Sequence, residues 1–167
     1  RVLLAATLSS VYGLYSGFEL CENTAIPGRE EYLNSEKYEY KVWDWDRPGN
    51  IIPYISRINQ IRHEHPALQE YINLRFYQAD NPQIICYGKM TPDKSDIIVI
   101  AVNLDPFNTH DSWIYLPLNE FGIPDDEPFE AVELLSGDTY TWTGARQYVR
   151  LVPETHPGQV FWLRKLL

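Results

Sequence analysis

The chain has 167 residues, 44% hydrophobic and 14% aromatic, a globular composition with room for one core, or for one domain and part of another. Its 23 acidic and 14 basic side chains give a formal charge of −9, with the acids scattered along the chain. That balance argues against nucleic acid or an anionic membrane surface as partner, since both need a basic patch, and no apolar run is long enough to span a bilayer.

Cys21 and Cys86 stand far apart without a CxxC partner, so neither a zinc site nor a redox motif is expected. No signal peptide is visible, and free thiols in a cytoplasmic protein are the expectation. The opening run Arg1–Leu8 reads as the middle of an apolar element and not as a frayed terminus, which suggests a piece of a longer protein.

In chain order, RVLLAATLSS (1–10) is rich in Leu and Ala and reads as the end of a buried helix. VYGLYSGFEL (11–20) changes to aromatic and β-branched residues with two glycines, and predicts a buried strand ending near Gly17. Residues 28–50, GREEYLNSEKYEYKVWDWDRPGN, have no clean period and interleave Tyr32, Tyr38, Tyr40, Trp43 and Trp45 with acids and lysines. A long aromatic, charged, irregular stretch reads either as a ligand loop or as a solvated surface loop. Aromatic faces beside donors and acceptors suit a sugar ring.

Asn50 is the expected N-cap of a helix from Ile51 to about His65, with Pro53 in its first turn and a stripe of Ile51, Ile55, Ile58 and either Ile61 or Arg62. Pro66 ends it. Beyond Ala67, eight runs rich in Ile, Val, Tyr and Trp recur between turn residues: 73–78, 83–89, 96–103, 111–116, 129–135, 139–143, 147–151 and 159–164. That spacing predicts an antiparallel sandwich. Ile97–Val102 is apolar throughout and is the expected central strand. Ser136-Gly137-Asp138 marks a hairpin turn. The fold class is therefore mainly β, an antiparallel sandwich (69–167) behind a helix–strand–loop–helix segment (1–68), which is the grammar of a (β/α)8 barrel.

The chemistry-bearing residues are weak as a catalytic set. Glu19, Glu22 and Asn23 follow the predicted strand, and Glu30, Glu31 and Glu36 lie in the loop, but nothing marks two of them as an acid/base pair. Asp44 and Asp46 flank Trp45 without a histidine, a poor metal signal, and Asp46 next to Arg47 suggests an ion pair that braces the loop. His63 and His65 do not share a helix face, so they favour a charged helix C-terminus over a metal site. His110 and His156 carry no pattern. No Walker loop, dinucleotide fingerprint, GxSxG or HExxH occurs, and no catalytic residue, metal ligand or cofactor is assigned within this chain.

The runs VYGLYSGFELCEN, GREEYLNSEKYEYKVWDWDRPGNI and INQIRHEHPAL resemble the C-terminal part of glycoside hydrolase family 13, the α-amylase superfamily. PGREEYLNSEKYE and WDWDRPGNI, absent from ordinary amylases, narrow the resemblance to the α-1,4-glucan:maltose-1-phosphate maltosyltransferases. The resemblance implies the seventh helix, eighth strand and eighth helix of the amylase barrel, followed by the β-sandwich called domain C. It implies a bacterial enzyme moving maltosyl units from maltose 1-phosphate to α-1,4-glucan with retention, its catalytic acids on barrel strands outside this chain. By motif it assigns Lys37 and Tyr38, within the SEKY step, to holding the donor maltose. The chain alone is then expected to be inactive. Two other readings remain: a non-catalytic β-sandwich that binds carbohydrate or covers a barrel, and a plain amylase-type hydrolase. Apolar surface on the barrel-derived part also invites association, with a homodimer as one outcome.

Overall fold

The computed structural model describes residues 1–33 and 40–166. Among them, helix α1 spans Val2–Leu8, α2 Ile52–Glu64 and a short α3 Leu118–Phe121. The strands are β1 Arg75–Ala79, β2 Ile84–Met90, β3 Ile97–Asn103, β4 His110–Tyr115, β5 Pro128–Glu133, β6 Thr139–Thr143, β7 Arg146–Leu151 and β8 Gly158–Lys165. Each coincides with a predicted run to within two residues, and all pair antiparallel. Their order is β6-β5-β8-β3-β2-β1-β4-β7, so β3 is central as expected.

The sheet folds over between β1 and β4, and its two halves face each other across one core. Val99 and Ala101 of β3, Cys86 of β2 and Phe161 of β8 meet Ile114, Val149 and Leu151 from β4 and β7. The opposite face of the same strands is covered by helices. Ile98, Ile100 and Val102 of β3, with Tyr87 and Val160, pack against Leu3 and Ala6 of α1 and Ile55, Ile58 and Ile61 of α2. Burial on both faces is the physical reason β3 has no polar alternation. In the edge strand β7 the alternation holds: Val149 and Leu151 are buried, Tyr148 and Arg150 exposed.

Polar links tie the helices to this sheet. Gly158 lets α1 touch β8, since a Cβ there would lie 2.5 Å from Leu3. Thr7 Oγ1 lies 2.6 Å from the Tyr87 hydroxyl. Arg57 of α2 donates from Nε and Nη2 to the Leu134 carbonyl, at 2.8 and 2.6 Å. Arg62 donates to the carbonyls of Ala6, Ser9 and Ser10, satisfying the open C-terminal end of α1. The helical segment and the sheet thus share one of the two apolar cores.

Two local expectations are corrected. Residues 11–17 form no strand, because every described strand pairs with another described strand and none offers this segment a ladder. The run stays irregular, with Val11 80% exposed, and tightens into a 3-10 turn at Phe18–Leu20. The N-cap of α2 is Ile51, one residue later than expected. Asn50 still contributes from the preceding position, where its Oδ1 accepts the Ile52 N–H at 3.1 Å. Pro53 sits in the first turn, and Pro66 opens a 3-10 turn, Pro66–Gln69, after the helix.

Candidate functional site

The face formed by the turn 16–23 and the descending segment 40–50 carries the predicted ligand loop. Gly17 has φ +91°, and the indole ring of Trp43 lies against it so closely that a Cβ would stand 2.5 Å from the ring. Only glycine accepts both the left-handed backbone and that contact. Trp43 is therefore seated on the turn and not displayed to solvent. The Lys41 ammonium lies 4.3 Å from the centre of its ring, and Trp45 is tilted beside it at 6.4 Å.

Glu22 gathers the cations. Its carboxylate lies 3.4 Å from both Lys41 Nζ and Arg47 Nη1. Hydrogen bonding from Thr24 foremost, helped by the Lys41 ammonium, holds Glu22 below the usual carboxylate range against the opposing effect of burial. This corrects the expected Asp46–Arg47 pair: Arg47 reaches back across the loop to Glu22. Asp44 instead forms a local turn, its Oδ1 accepting the Asp46 N–H at 3.2 Å and its carbonyl accepting the Arg47 N–H. The Arg47 carbonyl accepts from Asn50 Nδ2 at 2.8 Å, and the Glu19 carbonyl accepts the Ile51 N–H at 2.8 Å. Residues 43–51 are thus a brace that leads the chain into α2.

Beside the brace, Leu14, Ser16, Glu19, Trp45, Ile52 and Ser56 line a shallow concavity of about 320 Å³. Trp45 is 52% exposed at its rim, and Tyr40 and Tyr15 also present exposed rings. Asn23, Glu30 and Glu31 face solvent. Lys37 and Tyr38, the assigned donor-site residues, lie outside the described residues, as do Ser35 and Glu36. On the described part of this face the polar contacts are ion pairs and turn hydrogen bonds. It can stack against and hydrogen-bond a polyhydroxylated ring, but it assembles no nucleophile–base pair.

The histidines belong elsewhere. His65 is not a solvated helix end: it is buried, its Nδ1 2.8 Å from Asp96 Oδ1, while Asp96 Oδ2 accepts the Ala67 N–H. His110 Nε2 lies 3.0 Å from Asp105 Oδ2, and this bond, first, with Asn108 and the Phe107 N–H holds the Asp105 carboxyl far below the usual range. Both cysteines are free, Cys21 exposed and Cys86 buried. Among the described residues no group of three or more His, Cys, Asp or Glu is placed to hold a metal ion, and no helix is long and apolar enough to cross a membrane.

Comparison with known proteins agrees with this architecture. Residues 76–163 match the family described as GLGE, C-terminal. Across 96% of its length the chain is 53% identical to the alpha-1,4-glucan:maltose-1-phosphate maltosyltransferase of Rhodospirillum rubrum, and 48% identical to that of Cereibacter sphaeroides, covering 23% and 24% of those proteins. It is 42% identical, over 99% of its length and 25% of the relative, to the Pseudomonas aeruginosa protein of the same name. The chain therefore spans about a quarter of the length of these relatives. Among solved structures, the α-amylase of Geobacillus thermoleovorans complexed with acarbose superposes with a TM-score of 0.65 at 19% identity, covering 99% of this chain and 33% of that one. An Anoxybacillus α-amylase gives 0.62 at 17%, covering 99% and 32%. These two likenesses show the fold, an amylase-type β-sandwich with the helical segment ahead of it. The sequence matches show the family: this chain belongs to the GLGE C-terminal family.

Proposed function

We propose that this chain is the C-terminal part of a maltosyltransferase that moves maltosyl units from maltose 1-phosphate to α-1,4-glucan, and that it contributes one loop of the donor site. A carboxylate outside this chain would displace phosphate from C1 of the donor to give a covalent maltosyl-enzyme. The 4-hydroxyl of the acceptor glucan would then displace that carboxylate, the two inversions giving net retention. Within the chain, Lys37 and Tyr38 would hydrogen-bond the donor's hydroxyls. The setting is cytoplasmic α-glucan synthesis, and the enzyme works as a homodimer.

The observation that carries this reading is the anchoring of residues 41–47, just after the SEKY motif in sequence, against the turn at Gly17 and Glu22. Trp43 seated on Gly17, with Glu22 bound to Lys41 and Arg47, holds the C-terminal end of the loop against the turn. The sequence identity that spans nearly the whole chain to proteins named for this reaction supports the reading. The test is Lys37→Ala in the full-length protein, assayed by phosphate release from maltose 1-phosphate. Loss of a charged hydrogen bond, about 1.5–3 kcal/mol, should lower kcat/KM by roughly ten- to a hundredfold with folding intact. Unchanged kcat/KM removes Lys37 from the donor site, and phosphate release by the 167-residue chain alone would refute catalytic acids outside it.

A further inference from the structure

Among the described residues the sheet ends in two strands, β6 and β7, each paired on one side only: β6 with β5, β7 with β4. Gly144 and Ala145 alone connect them, so the fold brings the two free edges together at one seam without a ladder between them. A cleft of about 250 Å³ opens there, away from the loop face described above. Tyr140 and Trp142 of β6 form one wall, Tyr148 and Arg150 of β7 the other, and Gln159 and Phe161 of β8 the floor.

Three features of this cleft suit a ligand. First, its rim carries exposed aromatic rings on edge strands: Tyr148, on the outer face of β7, is 48% exposed, and Tyr140, on the same face of β6 as the buried Trp142, is still 40% exposed. Second, those rings are held in place. The Tyr148 hydroxyl donates to Asp111 at 2.7 Å, and the ring meets Trp113 edge-on at 5.3 Å. Arg146 lies over the Trp113 ring at 4.1 Å. Tyr140 packs against Phe161 at 6.2 Å, and Phe161 against Trp142 at 4.7 Å. Third, the floor has an unmet need: Gln159 Oε1 is buried and has no hydrogen-bond donor among the described residues. A buried acceptor without a donor is costly and uncommon in a native protein.

We propose that the seam cleft is a second carbohydrate-binding site, taking a rim segment of an α-1,4-glucan chain. A sugar offers an apolar C–H face to the Tyr140 and Tyr148 rings and hydroxyls that both donate and accept, which meets Gln159 Oε1 and the Arg150 guanidinium together. The cleft falls below the roughly 300–1,000 Å³ of enclosed small-molecule sites, which suits a ring lying across a rim more than a swallowed ligand. Fixed rings reduce the ordering cost of such binding. The arginines do not make an anion site: Arg146 is stacked on Trp113, and Asp111 stands beside Tyr148. The site in β6–β8 is independent of the donor loop. Only the choice of α-1,4-glucan rests on the proposed function.

The test is titration of the 167-residue chain with maltoheptaose, followed by tryptophan fluorescence and by chemical shifts at Tyr140, Trp142, Tyr148 and Gln159, with cellohexaose as the comparison sugar. Maltoheptaose should shift these resonances with a Kd of about a millimolar. Tyr148→Ala, which truncates an exposed ring, should weaken binding about tenfold while the fold is retained by circular dichroism. Gln159→Leu should weaken binding too, yet leave the melting temperature unchanged or higher, because it removes an unsatisfied buried acceptor. A merely structural glutamine would lower it. Absence of shifts at the cleft, or wild-type affinity in both variants, overturns the site, and binding confined to cellohexaose overturns the α-1,4 assignment. None of these results depends on Lys37, so the cleft and the donor loop fail separately.

Discussion

His65 Nδ1 lies 2.8 Å from Asp96 Oδ1, and through this contact the last turn of α2 is bound to the residue that opens the central strand. Asp96 uses its other oxygen on the Ala67 N–H, and the Trp162 ring meets His65 edge-on at 5.2 Å. Both side chains are buried, so the pair joins helix and sheet where water cannot replace either partner.

Removing one member should therefore be costly. Asp96→Ala is expected to lower the unfolding free energy by about 3 kcal/mol, since it leaves the imidazole and an amide N–H without an acceptor. Urea denaturation of the 167-residue chain measures this. A loss under about 1 kcal/mol would mean that the contact does not join the helix to the sheet.

Gly17→Ala should strain the turn on which Trp43 is seated. The left-handed backbone alone costs an alanine about 1–2 kcal/mol, and its Cβ would meet the Trp43 ring. Gly49 has φ +81° in the same loop but open space around it, so Gly49→Ala isolates the backbone cost. The expected result is a larger stability loss for Gly17→Ala, with tryptophan emission shifted to the red as Trp43 leaves its seat. Equal losses and unshifted emission would contradict the packing.

Glu22 links stability to pH in one direction. Its folded pKa is depressed below the unfolded value, 4.5 for an ordinary glutamate. The stabilisation is thus present above about pH 4.5 and fades as pH falls through the folded pKa. Glu22→Gln should cost at most about 1 kcal/mol at neutral pH, because its partners are partly solvated. The difference from wild type should narrow towards acid, and denaturation midpoints across that range check it. A gap that widens on acidification would show that Glu22 is not held as a carboxylate.

The two thiols should separate in a thiol titration. Cys21 is exposed, whereas burial pushes the Cys86 thiol up to about 12 and encloses it in the sandwich core. A disulfide-exchange reagent should label one thiol in the native chain and both after denaturation. Rapid labelling of two under native conditions would mean that the core opens readily.

The eight strands were legible in the amino-acid sequence because strand period and turn chemistry are local. QYVRL shows its alternation in five letters, and Ile97–Val102 shows burial on both faces by lacking one. The stretch 11–20 was not legible, because β propensity records how a side chain suits a pleated surface and not whether a neighbouring strand exists to pair with it. Likewise, adjacency in the chain pairs Arg47 with Asp46, whereas the folded loop carries it to Glu22. Of the seam aromatics, Tyr148 stands on the solvent side of an alternating strand in the sequence, but nothing local joins it to Tyr140.

The sequence by itself determined the family, the mainly β architecture and the residues of each strand. Tertiary structure alone decided which groups meet: Asp96 with His65, Glu22 with Lys41 and Arg47, Trp43 with Gly17, and the free edges of β6 and β7 with each other. The division follows from range. Propensity and periodicity act over a few residues, whereas ion pairs, ring packing and sheet closure depend on distances that exist only once the sheet has folded over and the helices have settled on its outer face.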